Sequence, residues 1–294
     1  MPQVSVVIPV YNGEKYVVQS INSILNQTFK DTEIIIVNDA SQDNSEKVIY
    51  ENFEDLIDNG KIKYTRNQKN QGRNISGNIG AKLASGNYLF FLDADDLWKE
   101  NHIEEILKIF ESQNPDIVFA RPRTFIDETG KIKRKSKSKI PENIDYIVFS
   151  SKIGFPSATA FKKNTFIFYN PEYKFREDIE LFFRARLSGQ KIVIADTDTV
   201  LIREHSAPTR MSKSSNFYKY TLKLYEDYKD KIPVNYRGNF YFHISEVAFK
   251  FGDFKTGYSF LFKALKAKPS LISDGRFLIT FLKRGFRIDR LFFS

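Results

Sequence analysis

Short β-branched runs alternate with amphipathic stretches through the first 120 residues. Val4-Ser-Val-Val-Ile-Pro-Val10 is apolar without alternation, the pattern of a parallel strand buried on both faces. Tyr11-Asn-Gly13 is turn chemistry, and residues 14–27 carry Tyr16, Val17, Ile21, Ile24 and Leu25 at helical spacing. Glu33-Ile-Ile-Ile-Val37 predicts a second buried strand, with residues 38–43 as the loop after it. A helix over 45–57, a strand over 61–66, a polar loop over 67–72 and a helix over 74–84 follow. Gly86 closes that helix, and Tyr88-Leu-Phe-Phe-Leu92 is the fourth strand. This βαβαβαβ order predicts a doubly wound α/β sheet with right-handed crossovers, whose ligands bind at the carboxyl ends of the strands.

After Asp96 the pattern changes. It predicts a helix over 101–112, a strand over 116–120 and a hairpin over 124–132 around Asp127-Glu-Thr-Gly130. A helix over 177–188 and strands over 191–194 and 199–203 come next. From about residue 216 the pattern is helical throughout. Residues 240–252 and 255–268 read as an antiparallel pair joined at Gly252-Asp253, faintly like one tetratricopeptide unit and more simply a helical hairpin. The expected division is an α/β domain over 1–215 and a helical domain over 216–294.

Charge sharpens that division. The chain has 294 residues with net charge +9, which on its face suggests nucleic acid or an anionic membrane. Residues 1–215 hold 30 basic and 29 acidic side chains, whereas 216–294 hold 15 and 7. The excess belongs to the last quarter, apart from one basic run over 131–139 without which the first part would be acidic. That run suits an anionic acceptor or, more plainly, a solvated hairpin. With no cysteine, a disulfide scaffold, a thiolate zinc site and a cysteine nucleophile are excluded. No leader segment is visible, and no apolar run reaches the roughly 18–20 residues that span a bilayer.

The candidate chemistry gathers at strand ends. Leu92-Asp-Ala-Asp-Asp-Leu-Trp98 follows the fourth strand, and acidic residues at i and i+2 there suit a hard divalent cation. The alternative is a helix cap made by Asp95 or Asp96. Pro9-Val-Tyr-Asn-Gly-Glu14 and Val37-Asn-Asp39 end the first two strands. Tyr11 suits stacking on a base and Asp39 suits hydrogen bonds from a base or ribose, although Asn12-Gly13 and Asp39 are also ordinary turn residues.

Taken together, Val4-Ser-Val-Val-Ile-Pro-Val-Tyr-Asn-Gly13, Ile36-Val-Asn-Asp-Ala-Ser-Gln-Asp43, Gly72…Asn78-Ile-Gly80, Gly86-Asn-Tyr-Leu-Phe-Phe-Leu92 and Leu92-Asp-Ala-Asp-Asp96 resemble the family 2 glycosyltransferases over roughly residues 3–205. The resemblance implies a GT-A fold, a Rossmann-like doubly wound mixed sheet here followed by an all-helical extension. It also implies inverting transfer of a sugar, of hexosyl or N-acetylhexosaminyl type, from a nucleotide-diphosphate donor, usually UDP-linked. The acceptor would be a hydroxyl of a surface glycan, a teichoic acid or a glycoprotein. Pro9, Tyr11, Glu14, Asp39, Asn70, Arg73, Asp93, Ala94 and Asp95 would hold the donor. Asp95, with Asp93 and His205, would hold a divalent metal, Mn²⁺ or Mg²⁺. In the acidic pair Glu177-Asp178, Asp178 would be the catalytic base, with Arg176 keeping it ionised; the pair also reads as first-turn acids of a helix. His102 and His243 carry no such implication, His102 being expected on a surface helix.

One departure from the family is that Ser76-Gly77-Asn78 stands where members usually carry Ala-Arg-Asn. Arg73, one turn earlier on the same face, is expected to take the arginine's place. The polar stretch 207–215 suits a lid over the donor, with Arg210 on the diphosphate. Residues 273–294 mix bulky apolar and basic side chains, which suits an interfacial helix on anionic lipid, a packed terminal helix or an oligomer contact. The expected location is therefore the cytoplasm or the inner face of the cell membrane. Two rival functions remain. A nucleotidyltransferase lacks its Gly-rich basic phosphate loop here, and a nucleic-acid-binding protein lacks a basic-aromatic motif.

Overall fold

The computed structural model describes residues 2–137, 141–205, 214–273 and 275. Ser138 and Lys139 of the basic run, Arg210 and most of its proposed lid, and nearly all of the 273–294 segment lie outside the described residues.

The apolar runs form the centre of a seven-stranded sheet. β1 (Val4–Val10) and β2 (Thr32–Asn38) are buried at every position, as strands covered on both faces must be. With β3 (Ile62–Arg66) and β4 (Tyr88–Phe91) they make a parallel block, β3-β2-β1-β4. α1 (Val17–Leu25), α2 (Ser45–Asp58) and α3 (Arg73–Leu83) are the connections. α3 lies so close to the sheet that a Cβ on Gly80 would stand 2.3 Å from Val7 Cγ1, so only glycine fits there.

The sheet continues through a strand that the residue pattern does not reveal. β9 (Thr159–Lys162) runs antiparallel between β4 and β6 (Ile117–Ala120), and β10 (Ile192–Ala195) closes the edge beside β6. The sheet is therefore mixed. A smaller four-stranded sheet has the order β5-β11-β7-β8, with β5 (Leu97–Trp98), β7 (Thr124–Ile126), β8 (Ile132–Lys135) and β11 (Val200–Arg203). β8 is fully exposed, and its cations are partly offset: Lys133 and Arg134 pair with Glu204, and Lys135 with Asp198.

α4 (His102–Gln113) corrects one expectation. His102 is buried, with its ring 4.5 Å from that of Trp98 and Nδ1 2.7 Å from Thr199 Oγ1. Burial pushes its imidazole down to about 3, so it is neutral.

The C-terminal part is helical, with α7 (Ser215–Tyr228), α8 (Val234–Lys250) and α9 (Phe254–Ala267). These helices pack on α5 (Ile144–Phe149) and α6 (Glu177–Leu187). Phe183 of α6 lies 5.5 Å from the rings of both Tyr228 and Phe240. Leu224, Tyr228, Phe240, Ile244 and Phe260 thereby join the same apolar cluster as the sheet. Among the described residues no helix is long and apolar enough to cross a membrane.

One buried charge ties three elements together. Glu33 on β2 pairs with Lys63 at 2.6 Å and accepts from Ser5 Oγ at 2.6 Å and the Ser85 amide at 2.6 Å. Burial pushes this carboxyl up, but those partners outweigh it and bring it down to about 2. Its contribution to stability is thus present above its ordinary value of 4.5 and is lost as pH falls toward about 2. Glu33→Gln is expected to lower stability by about 1–3 kcal/mol at pH 7. It should also flatten the acid limb in that window. Urea unfolding at several pH values checks this, and an unchanged acid slope would contradict it.

Candidate active site

The chain leaves β1 toward β2 on one side and leaves β4 toward β9 and β6 on the other, so the sheet's switch point lies between β1 and β4. A cleft of about 360 Å³ opens at that point, lined by Pro9, Val10, Tyr11, Asn12, Gly13, Tyr16, Asp39, Arg73, Asp93, Ala94, Asp95 and His205. Most of the residues expected to hold the donor and metal meet there. Glu14 and Asn70 do not line it. Glu14 instead accepts the Asn44 amide at 2.7 Å and braces the start of α2, while Asn70 is exposed on the loop before α3.

The β1–α1 turn is anchored to the β2–α2 turn. Asn12 sits at φ +50, a conformation asparagine tolerates, and its amide donates to Ser41 Oγ at 3.0 Å. The Gly13 amide donates to Ser45 Oγ at 2.7 Å. This leaves Tyr11 48% exposed at the lip of the cleft. Asp39 is buried and shapes the next loop, accepting from Asn67 Nδ2 at 2.7 Å and from the amides of Gln71 at 2.9 Å and Gly72 at 2.8 Å. That loop delivers Arg73 to the first position of α3.

The acidic corner is held from far along the chain. Ser157 Oγ accepts the Asp93 amide at 3.0 Å and donates to Asp96 Oδ2 at 2.6 Å. The Arg203 amide donates to Asp96 Oδ1 at 2.8 Å, and Arg203 Nε donates to the Asp95 carbonyl at 2.7 Å. Asp96 is therefore a buried strut, pushed well up by burial and by its neighbours Asp95 and Asp93. Neither Asp95 nor Asp96 caps α4, which starts only at His102, after β5. The triad is thus divided: Asp96 faces the protein, while Asp93 and Asp95 face the cleft.

Asp95 Oδ2 lies 2.6 Å from His205 Nε2, and this hydrogen bond holds the imidazole above its usual pKa. Asp93 accepts Arg73 Nε at 2.5 Å; burial pushes this carboxyl up while Arg73 opposes it. Arg73 also reaches Glu177, with Nη1 3.7 Å from Oε1. Its Nη2 is buried with no hydrogen-bond partner. A Cβ on Gly77 would make ordinary contact with the rings of Phe91 and Tyr169 at 3.4 Å, and Arg73 lines the cleft.

Asp178 stands in the first turn of α6, half-buried. It does not line the 360 Å³ cleft but is close enough to Asp93 that its charge helps to push that carboxyl up. Gly154, at φ +130, makes room for it: a Cβ there would come within 2.5 Å of Asp178 Oδ2. The Phe155 amide faces the same oxygen at 3.3 Å. Arg176 does not pair with Asp178 as expected. At φ +64, it sends Nη2 to His243 Nε2 at 2.7 Å and lays its guanidinium over Phe217. Glu177 is pushed up to about 8 by burial and by Asp178, against Arg73, which leaves it protonated near neutral pH. Ser157, Arg203 and Gly154 carry no sequence signal of their own, since each acts through contacts some 60 to 110 positions away or through backbone shape.

Residues 5–178, more than half of the chain, match the model of glycosyl transferase family 2. The chain belongs to that family. The matched residues form a domain of the glycosyltransferase class. An uncharacterised glycosyltransferase of Haemophilus influenzae is 37% identical over 149 residues, which is 50% of this chain and 56% of the relative. The minor teichoic acid biosynthesis protein GgaB of Bacillus subtilis is 38% identical over 137 residues, 45% of this chain and 15% of the relative. A Rickettsia bellii glycosyltransferase, 40% identical, is matched over 18% of its length, so the chain spans only part of the curated relatives it resembles. Among solved structures, S. aureus TarS 1-349 in complex with UDP superposes with a TM-score of 0.56 at 15% identity, over 92% of this chain and 91% of that one. The mannosyltransferase PcManGT of Pyrobaculum calidifontis, in complex with GDP-Man and Mn²⁺, gives 0.59 at 15% identity, over 93% and 76%. These likenesses show the GT-A fold.

Among the described residues no group of three or more His, Asp or Glu side chains is arranged to hold a metal. Asp95 Oδ2 and His205 Nε2 converge in the cleft, and with the imidazole neutral both would offer lone pairs to a cation in place of the hydrogen bond between them. Mg²⁺ and Mn²⁺ are commonly held by one or two protein ligands completed by substrate phosphates and water, so the pair fits such a half-site.

Proposed function

We propose that the protein is an inverting, metal-dependent glycosyltransferase that moves a sugar from a UDP-linked donor to a hydroxyl of a glycan acceptor. The observation that carries this reading is the meeting, in one cleft at the switch point, of the Asp95–His205 pair and Arg73, whose guanidinium is held beside Asp93. A guanidinium fixed at the cleft wall suits the oxygens of a diphosphate.

In this reading Tyr11 stacks on the base at the lip, and Asp39 meets the nucleoside while keeping the 67–72 loop in shape. Asp95 and His205 would hold Mn²⁺ or Mg²⁺, with Asp93 beside them. A bound cation supplies positive charge against the departing diphosphate. Arg73 adds a fixed charge on the same group. Asp178 takes the proton of the acceptor hydroxyl as its oxygen attacks the anomeric carbon, and the bond from that carbon to the diphosphate breaks on the opposite face. The protonated Glu177 removes one negative charge from beside Asp178, so the acidic corner carries less mutual repulsion. A teichoic-acid or other surface glycan is the acceptor class that the name of one relative, GgaB, favours.

Liberation of UDP from a panel of UDP-sugars in the presence of Mn²⁺ tests the reading, and release from none of them would contradict it. Arg73→Ala is expected to weaken UDP binding at least tenfold in calorimetry, the worth of one charge-assisted hydrogen bond. Arg73→Lys, which keeps the charge but loses the fork, should fall between. Unchanged affinity in both variants would remove Arg73 from the donor site.

A further inference from the structure

We infer that Phe155 is an acceptor platform: an aromatic disc, held beside Asp178 by strained backbone, on which a pyranose ring of the acceptor lays its C–H face. This rests on the proposed role of Asp178.

Phe155 adopts φ +83 and ψ +90, which a bulky side chain rarely does. It also precedes Pro156, which narrows its choices further. Such conformations persist only where surrounding structure enforces them, and they cluster at functional sites. Here the enforcement is visible. The Phe155 carbonyl accepts the Ala158 amide at 3.0 Å and Thr159 Oγ1 at 3.1 Å, at the start of β9. Its amide faces Asp178 Oδ2 at 3.3 Å, across the space that Gly154 leaves open.

The outcome of this strain is an exposed ring. Phe155 is 44% exposed although every residue from Ser157 to Phe161 is buried. One side is supported by the Phe125 ring, edge-on at 6.5 Å. A lone exposed apolar residue needs no explanation. A strained one whose own amide touches the proposed base does. Asp93 lines the donor cleft and Asp178 does not, while the Phe155 amide meets Asp178 Oδ2 from another element, which suits an acceptor held apart from the donor. The negative face of an aromatic ring attracts the weakly positive C–H groups of a sugar. A pyranose presents such a flat C–H face together with hydroxyls at its rim, so one hydroxyl reaches Asp178 while the ring rests on Phe155. A flexible polyol offers no comparable face.

Saturation-transfer NMR with methyl glycosides of glucose, galactose, mannose and N-acetylglucosamine, recorded with UDP and Mn²⁺ present, tests this. In the wild type, saturation is expected on the ring C–H protons of at least one glycoside. Phe155→Ala is expected to weaken that binding at least tenfold, with UDP affinity unchanged in calorimetry, and Phe155→Trp should restore it. Glycoside binding that survives Phe155→Ala, or binding of UDP but of no glycoside by the wild type, overturns the platform. Failure of the wild type to bind UDP overturns instead the functional reading on which the platform rests.

Discussion

Asp178→Asn is expected to lower sugar transfer by about 10²–10⁴-fold while leaving UDP binding intact. The substitution is nearly isosteric. It keeps one oxygen for the 2.7 Å bond from the Ile179 amide and gives up only the longer 3.3 Å bond from the Phe155 amide, so the first turn of α6 should move little. What is lost is a proton acceptor at the acceptor hydroxyl. Glu177 is no substitute, because it is buried and faces Arg73. Single-turnover transfer and calorimetry on the same preparation separate the two effects. Near-normal turnover in the variant would end the assignment of Asp178 as base.

The second large effect is expected at Asp95. Asp95→Ala should abolish the Mn²⁺-dependent part of UDP binding. Loss of a supporting residue alone typically costs about 10–100-fold in metal affinity, and loss of a ligand should cost more. The side chain is 36% exposed and makes its hydrogen bond to His205, so the fold should survive the change. Asp96→Ala makes the contrast. That residue is buried between Ser157 and the Arg203 amide, and its removal should lower the unfolding midpoint. Isothermal titration of Mn²⁺ with UDP present distinguishes them. Equal metal affinity in Asp95→Ala and wild type would contradict the ligand role.

The parallel half of the sheet is legible because β1, β2 and β4 are buried nearly throughout, so unbroken apolar runs mark them and the motifs at their ends fall at the switch point. β9 is not legible. Thr-Ala-Phe-Lys is four residues long, follows a proline turn, and is a strand only because β4 and β6 flank it. Nor is the burial of His102, because a histidine within a charged helix gives no sign of the Trp98 and Thr199 that cover it. At the site, the acidic motif shows where charge collects but not how it is divided. Asp96 turns inward because Ser157 and Arg203 meet it there, from 61 and 107 positions away. Arg176 is similar: proximity in sequence to Asp178 suggests a pair, yet a left-handed backbone carries its guanidinium to α7 and α8. The helical part thus shares a core with the sheet and touches the segment that carries the proposed base, which its excess of positive charge does not foretell.

The most direct test of the central claim is calorimetric titration of the full chain with UDP, with and without Mn²⁺, against GDP and CDP as controls. The account predicts saturable, one-to-one UDP binding that strengthens with Mn²⁺, and loss of that strengthening in Asp95→Ala. Binding of no nucleoside diphosphate under either condition would contradict it.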